Sequence, residues 1–189
     1  RSEWYFSTSF GSSGVDQVDS IAILSDGDLI VGGSYCLGSA GLGCSMTLGD
    51  LPTLGKEDSG DEGNAFLARY DMDAGWIWAV SISNYFDLFM MDLYVDNYDN
   101  IHASVLFRDM VDINGTIFLG STEPSVALMM FDENGILISG HTAMSELGID
   151  PFGGFCQNSI GEMFIALTFI GEISFEEVGS IESVGGSDI

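Results

Sequence analysis

Apolar residues alternate along this chain in short runs, and each run is broken by a turn rich in Gly, Asp or Asn. Asp19–Tyr35 sets the pattern. Ile21–Leu24 and Leu29–Tyr35 read as two β-strands folded back on each other through Ser25-Asp26-Gly27-Asp28. Such alternation around Asp-Gly marks a hairpin, because strand side chains point to opposite faces in turn and Gly accepts the positive φ of a tight turn. Leu93–Phe107 and Phe155–Phe169 lie under Ile21–Tyr35 without a gap and keep the same apolar-turn-apolar order. Asn64–Tyr70 and Trp76–Ser83, joined through Asp71-Met72-Asp73-Ala74-Gly75, predict another hairpin. Ser125–Phe131 and Ile136–Ser139, joined by Asp132-Glu133-Asn134-Gly135, repeat it with one residue fewer in the turn.

These hairpins form longer units. Trp4–Tyr35, which opens with a predicted strand at Trp4–Phe10, aligns without a gap on Trp76–Phe107, Trp on Trp. The period is about 60 residues and holds about four short strands, the signature of β-propeller blades, none of which buries both faces alone. The expected fold is therefore all-β: propeller-like tandem four-stranded antiparallel repeats, about three blades. Within one domain, 1–189, repeat 1 spans 4–75 with a Gly-rich insertion at 36–63, repeat 2 spans 76–135, and repeat 3 spans 136–189 and is truncated. Ser145–Ile149 is the one stretch where a helical turn fits. Propellers close with about four to eight blades, so the outermost strands are expected to need completion by further repeats or by neighbouring copies. Head-to-tail contacts that do not close would build filaments.

Charge narrows the partners. Four Lys+Arg stand against 29 Asp+Glu, a formal net charge of −25. Phosphate backbones and anionic bilayers attract cationic surfaces, so nucleic acid and membrane surfaces are not expected partners. No apolar run approaches the roughly 18–20 residues that span a bilayer. Self-repulsion at this charge is relieved by bound cations, salt or a cationic partner. The composition fits an extracellular or saline setting, with plain solubility as the alternative. The sequence opens at Arg1 without a signal-peptide pattern, as a processed product or a piece of a longer protein would.

Candidate chemistry is sparse. Cys36 and Cys44 share the loop CLGSAGLGC at a spacing that permits a small disulfide ring, the alternative being two free thiols. Cys156, at an alternating strand position, is expected to be a buried free thiol. Asp71 and Asp73 ahead of Gly75 offer hard oxygen ligands for Ca²⁺, the one cofactor considered, but lack the distal bidentate Glu of an EF-hand; Asp also stabilises turns through its own backbone. Glu57, Asp58, Asp61 and Glu62 in the insertion pose a similar choice between Ca²⁺ ligands and a solvated face, and the solvated face is the reading adopted. Asn114-Gly115-Thr116 is an N-glycosylation sequon that is equally an Asn-Gly turn. Trp4, Trp76 and Trp78, with Tyr5 and Phe6, fit inter-blade core or an aromatic platform for glycans. Met90-Met91 and Met129-Met130 should face opposite sides of their strands. His102 and His141 have no ligand-spaced partner and no nucleophile arrangement around them, so no catalytic residue is assigned.

The repeat motifs resemble a known family. A strand ending in aromatic-Asp, a turn closed by Gly and then Trp (Phe66-Leu67-Ala68-Arg69-Tyr70-Asp71…Gly75-Trp76; Phe131-Asp132…Gly135) is followed by an apolar-Asp-Gly-Asp/Asn hairpin (Asp26-Gly27-Asp28; Asp99-Asn100). This is similar to the bacterial and archaeal SBBP repeats, kelch-like in architecture, and Val111-Asp112-Ile113-Asn114-Gly115 resembles their linker between hairpins. The resemblance covers nearly all of the chain outside 36–63. Tyr98-Asp99 replaces the usual Asp-Gly in the second cycle, and Ile136 replaces the Trp in the third. What it implies is a secreted or cell-surface protein, in a family mostly without a known catalytic role. The expected function is a structural or interaction module, and the unclosed strand edges make copies of itself the expected partners. The alternative is a cation-dependent glycan-binding or polysaccharide-degrading propeller domain.

Overall fold

The computed structural model describes residues 8–38, 44–55, 63–84, 88–158, 160, 162–175 and 179–184. Among them are fourteen strands and no helix. The first sheet is formed by β1 (Val15–Ile23), β2 (Leu29–Leu37), β3 (Asn64–Asp71) and β4 (Gly75–Ile82), antiparallel and in sequence order. Next along the chain come β5 (Phe89–Val95), β6 (Ile101–Phe107), the small hairpin β7 (Met110–Ile113) and β8 (Thr116–Leu119), β9 (Ser125–Phe131) and β10 (Leu137–Ser145). The second sheet takes β5, β6, β9 and β10 in that order. A third begins with β11 (Ile149–Gln157) paired to β12 (Met163–Phe169); β13 (Glu172–Phe175) and β14 (Gly179–Glu182) then return to the outer edge of β10.

The architecture is thus all-β, built of propeller-like antiparallel repeats whose sheets, among the described residues, do not close into a ring. The predicted hairpins hold, with their boundaries moved by a few residues. Ser145–Ile149, where a helical turn fitted, is instead the end of β10, a bend at Glu146-Leu147 and the start of β11. Residues 4–7 of the predicted first strand lie outside the described residues. The hydrogen-bonded sheets run in a different phase from the sequence repeats, because β4 pairs with β3 rather than opening the next sheet.

The sheets pack face to face with their inner strands β1, β5 and β11 side by side. Ser20 Oγ on β1 donates to Asp92 Oδ1 on β5 at 3.0 Å, and the Gly154 backbone of β11 approaches the other side of the same carboxylate. One apolar core, including Ile30, Leu67, Leu93, Ala127, Met129 and Phe131, fills the space between the first two sheets. Another, including Leu106, Val126, Ile149, Leu167 and Phe169, joins the second to the third. The side of the first sheet turned away from the second buries Tyr35 and Phe66 beneath Met46, Leu48 and Leu54 of the 36–63 excursion. Alternating strand positions feed opposite cores, so the first two sheets are apolar on both sides.

In each unit the excursion after the second strand reaches back to the preceding one. Asp112 on β7 bridges Ser83 beyond β4, and β13 pairs with the end of β10. In the first unit Thr47 bridges Gly11, and Gly11 falls on Ser83 in the gap-free alignment.

Candidate functional site

Two features mark the surface: a network locking the first two sheets together, and a cleft between the second and third where the matching network is missing. The network starts from the Asp-Gly hairpin. Asp26 Oδ1 accepts from Asp28 N at 3.0 Å, an Asx turn that sets the loop, and Gly27 takes φ 99°. This directs the Asp28 carboxylate onto Arg69 Nε at 2.7 Å and Asp26 onto Arg69 Nη2 at 2.6 Å. Arg69 Nη1 and Trp78 Nε1 both donate to the Glu133 carbonyl, at 3.1 and 3.0 Å, in the turn between β9 and β10. Gly135 of that turn lies against the Trp78 ring, leaving no room for a Cβ. One guanidinium therefore spans a turn of its own sheet and a turn of the next.

In the second sheet Arg69 is matched across β9 by Met130, because Arg69 pairs with Trp78 where Met130 pairs with Ser139. Val80 is likewise matched by His141, while Ile30 and Asp28 fall on His102 and Asn100 in the sequence alignment. The charged clamp is replaced by local bonds. Asp96 Oδ1 accepts from Tyr98 N and Asn100 N at 2.8 and 2.9 Å, while Oδ2 accepts from Asn100 Nδ2 at 2.9 Å and lies 3.2 Å from His102 Nε2. Burial by itself would raise the Asp96 pKa, but the bonds from Asn100, Tyr98 and His102 hold it below the ordinary value of 3.8.

Beside this network lies a cavity of about 290 Å³, lined by His102, Met130, Ser139 and His141 of the second sheet and Met163 and Ile165 of β12. It brings together both histidines of the chain. Sequence reasoning missed this, because the two residues meet only through the register of β6 and β10 across β9.

The other sequence candidates are placed as follows. Asp71 Oδ1 accepts from Asp73 N and Ala74 N, both at 2.7 Å, and these backbone bonds lower its pKa. Its carboxylate is thereby given to the turn. Among the described residues no group of three or more His, Cys, Asp or Glu could hold a metal. Cys36 and Cys44 are joined as a disulfide, with Cα atoms 5.8 Å apart. Asn114 stands exposed at the tip of the β7–β8 hairpin with φ 50°, beside Gly115 at φ 89°, as a two-residue turn requires. Trp76 packs edge-on against Phe10 and Tyr70, and Trp78 against the first core. Trp4, Tyr5 and Phe6, and Glu57, Asp58, Asp61 and Glu62, lie outside the described residues. Met129 is buried between the first two sheets while Met130 faces the cleft, so this pair divides as expected.

Cys156 departs from expectation: it is free but exposed, not buried. Its register partner is Phe164, also exposed, at the rim of the cleft. Strand alternation assigned Cys156 to a face, and that face meets no further sheet among the described residues. The opposite end of the stack shows the same condition. Ile21 and Ile23 on β1 are 58% and 65% exposed, although their aligned counterparts on β5, Leu93 and Val95, pack into the core between the first two sheets.

Comparison with known proteins finds no family model that matches this chain and no curated protein that matches its sequence.

Proposed function

We propose that this chain is a non-enzymatic module of an extracellular or cell-surface protein that acts by stacking against units of its own kind. Self-assembly into oligomers or filaments is the form that this takes. One observation carries the proposal: Ile21 and Ile23 lie open on β1, while Leu93, aligned with Ile21, is 6% exposed and packs on Gly32 of the preceding sheet. The same repeat position is an inter-sheet contact in one unit and a bare apolar surface in another. With Val15 and Val18 it forms an apolar stripe along β1, the type of surface that marks protein interaction sites. Burying such side chains is worth about 1.5–3 kcal/mol each. The resemblance of the repeats to SBBP-type sequences supports the same function.

The net charge of −25 opposes association of like copies. Screening shortens that repulsion to about 8–10 Å near physiological salt, while apolar contact is not weakened. Assembly is therefore expected to rise with both salt and protein concentration. Size-exclusion chromatography with light scattering tests this. The protein should form species larger than its 20.2 kDa monomer in 0.5 M NaCl. Ile21→Asp with Ile23→Asp should return it to a monomer with an unchanged far-UV spectrum. A wild-type protein that stays monomeric at every concentration and salt, with no filaments in negative stain, would overturn the proposal.

A further inference from the structure

The cleft beside β12 has a filled counterpart elsewhere in the molecule. Ile30, Leu67 and Val80 of the first sheet, which match His102, Leu128 and His141, are buried, and Trp78 packs beside them. They are covered by the third strand of the next unit, β9, through Ala127, Met129 and Phe131, and by the turn whose Glu133 carbonyl takes the Arg69 and Trp78 bonds. In the third unit β11 and β12 repeat the places of β5 and β6, and β5, β6 and β9 lie next to one another in that order. Beside β12 no third strand follows among the described residues, and His141 is exposed. The cavity of about 290 Å³ runs along that edge. Its volume is at the small end for a site that encloses a small molecule, roughly 300–1,000 Å³.

Resting on the proposal that the chain is a repeat module, we infer that this cleft is a strand-acceptor groove. Its occupant is an extended segment of the third-strand type, patterned like AFLARYD in β3 and VALMMFD in β9. The segment adds antiparallel to the open edge of β12, as β9 adds to β6. Main-chain hydrogen bonds to β12 supply the affinity, and alternate apolar side chains enter the space over Met130, His102 and His141 and supply the selectivity. The turn after the segment then covers Ser139, as the 132–135 turn covers Trp78.

A synthetic peptide of residues 124–138, PSVALMMFDENGILI, titrated into the full chain is the test. Saturable one-to-one binding is expected, with slowed amide hydrogen exchange along β12 and protection of His102 and His141 from diethylpyrocarbonate. A scrambled peptide should do neither, and N-methylation of alternate backbone amides should weaken binding at least about tenfold, the effect of losing one net hydrogen bond. Equal binding of native and scrambled peptides, or binding that leaves β12 unprotected, would overturn the inference. So would protection of β12 in the protein alone as its concentration rises, which would assign the groove to an intact second copy. Failure here, with assembly still sensitive to Ile21→Asp, would leave the module proposal standing.

Discussion

Asp99 holds Ser25 of the neighbouring repeat with both carboxylate oxygens: Oδ1 accepts from Ser25 N at 2.8 Å and Oδ2 from Ser25 Oγ at 2.5 Å. In the repeat alignment Asp99 falls on Gly27, and both take positive φ, 60° and 99°. The second cycle's departure from Asp-Gly therefore exchanges an unstrained turn for a bond between hairpins. Asp tolerates the left-handed region better than most residues but pays more than Gly. Asp99→Gly relieves a strain of roughly 1 kcal/mol and loses two charge-assisted bonds worth about 1.5–3 kcal/mol together when partly exposed. A net destabilisation of about 1 kcal/mol is expected in urea titration, and Asp99→Asn should cost less, since Asn keeps an acceptor and the turn preference.

Arg69→Met installs the residue that the second sheet carries at the matching position. It leaves the largely buried Asp28 carboxylate without its cation and should cost about 3 kcal/mol. The Asp26 arm, half exposed, adds at most about 1 kcal/mol of this. Adding Asp28→Asn, again the second sheet's own residue, should recover much of the loss. A double-mutant cycle by chemical denaturation measures the coupling; strict additivity of the two substitutions would contradict the clamp.

Replacing both Cys36 and Cys44 by Ser opens a ring with a sequence separation of 8. Loop-closure entropy alone predicts a loss of about 2.5 kcal/mol. The two sulfurs also belong to the core that covers Tyr35 and Phe66, so the thermal midpoint should fall further than entropy predicts. Reduction of the wild-type protein should reproduce most of the shift.

Acid should act through two opposed groups of carboxylates. Asp96 and Asp71 have depressed pKa values when folded, so their stabilisation is present above the ordinary 3.8 and is lost as pH falls through those lower values. Asp19 is the reverse. Burial raises its pKa against the hydrogen bonds from Ser34 and Gln17, so its contribution is favourable below 3.8 and lost as pH rises through the raised value. Asp19→Asn keeps an acceptor for Ser34 Oγ and should raise the urea midpoint at pH 7, with the gain vanishing near pH 3. A gain that persists unchanged at pH 3 would exclude burial of the charge as its cause.

The strands, their turns and the tandem repeat were legible without coordinates, because period-two alternation and the φ preferences of Gly, Asp and Asn act within a few residues. The face on which each strand position comes to lie was legible too: Met129 and Met130 separate as alternation requires. What covers each face was not, because that depends on which sheet stacks against it. Cys156 was assigned to an alternating position and then to the interior, yet its face is open. His102 and His141 meet in one cleft, and Arg69 bridges two hairpins, only through register between strands far apart in the chain. Local backbone preference set the elements; stacking and register, which no short window of residues contains, decided which side chains became core, clamp or open surface.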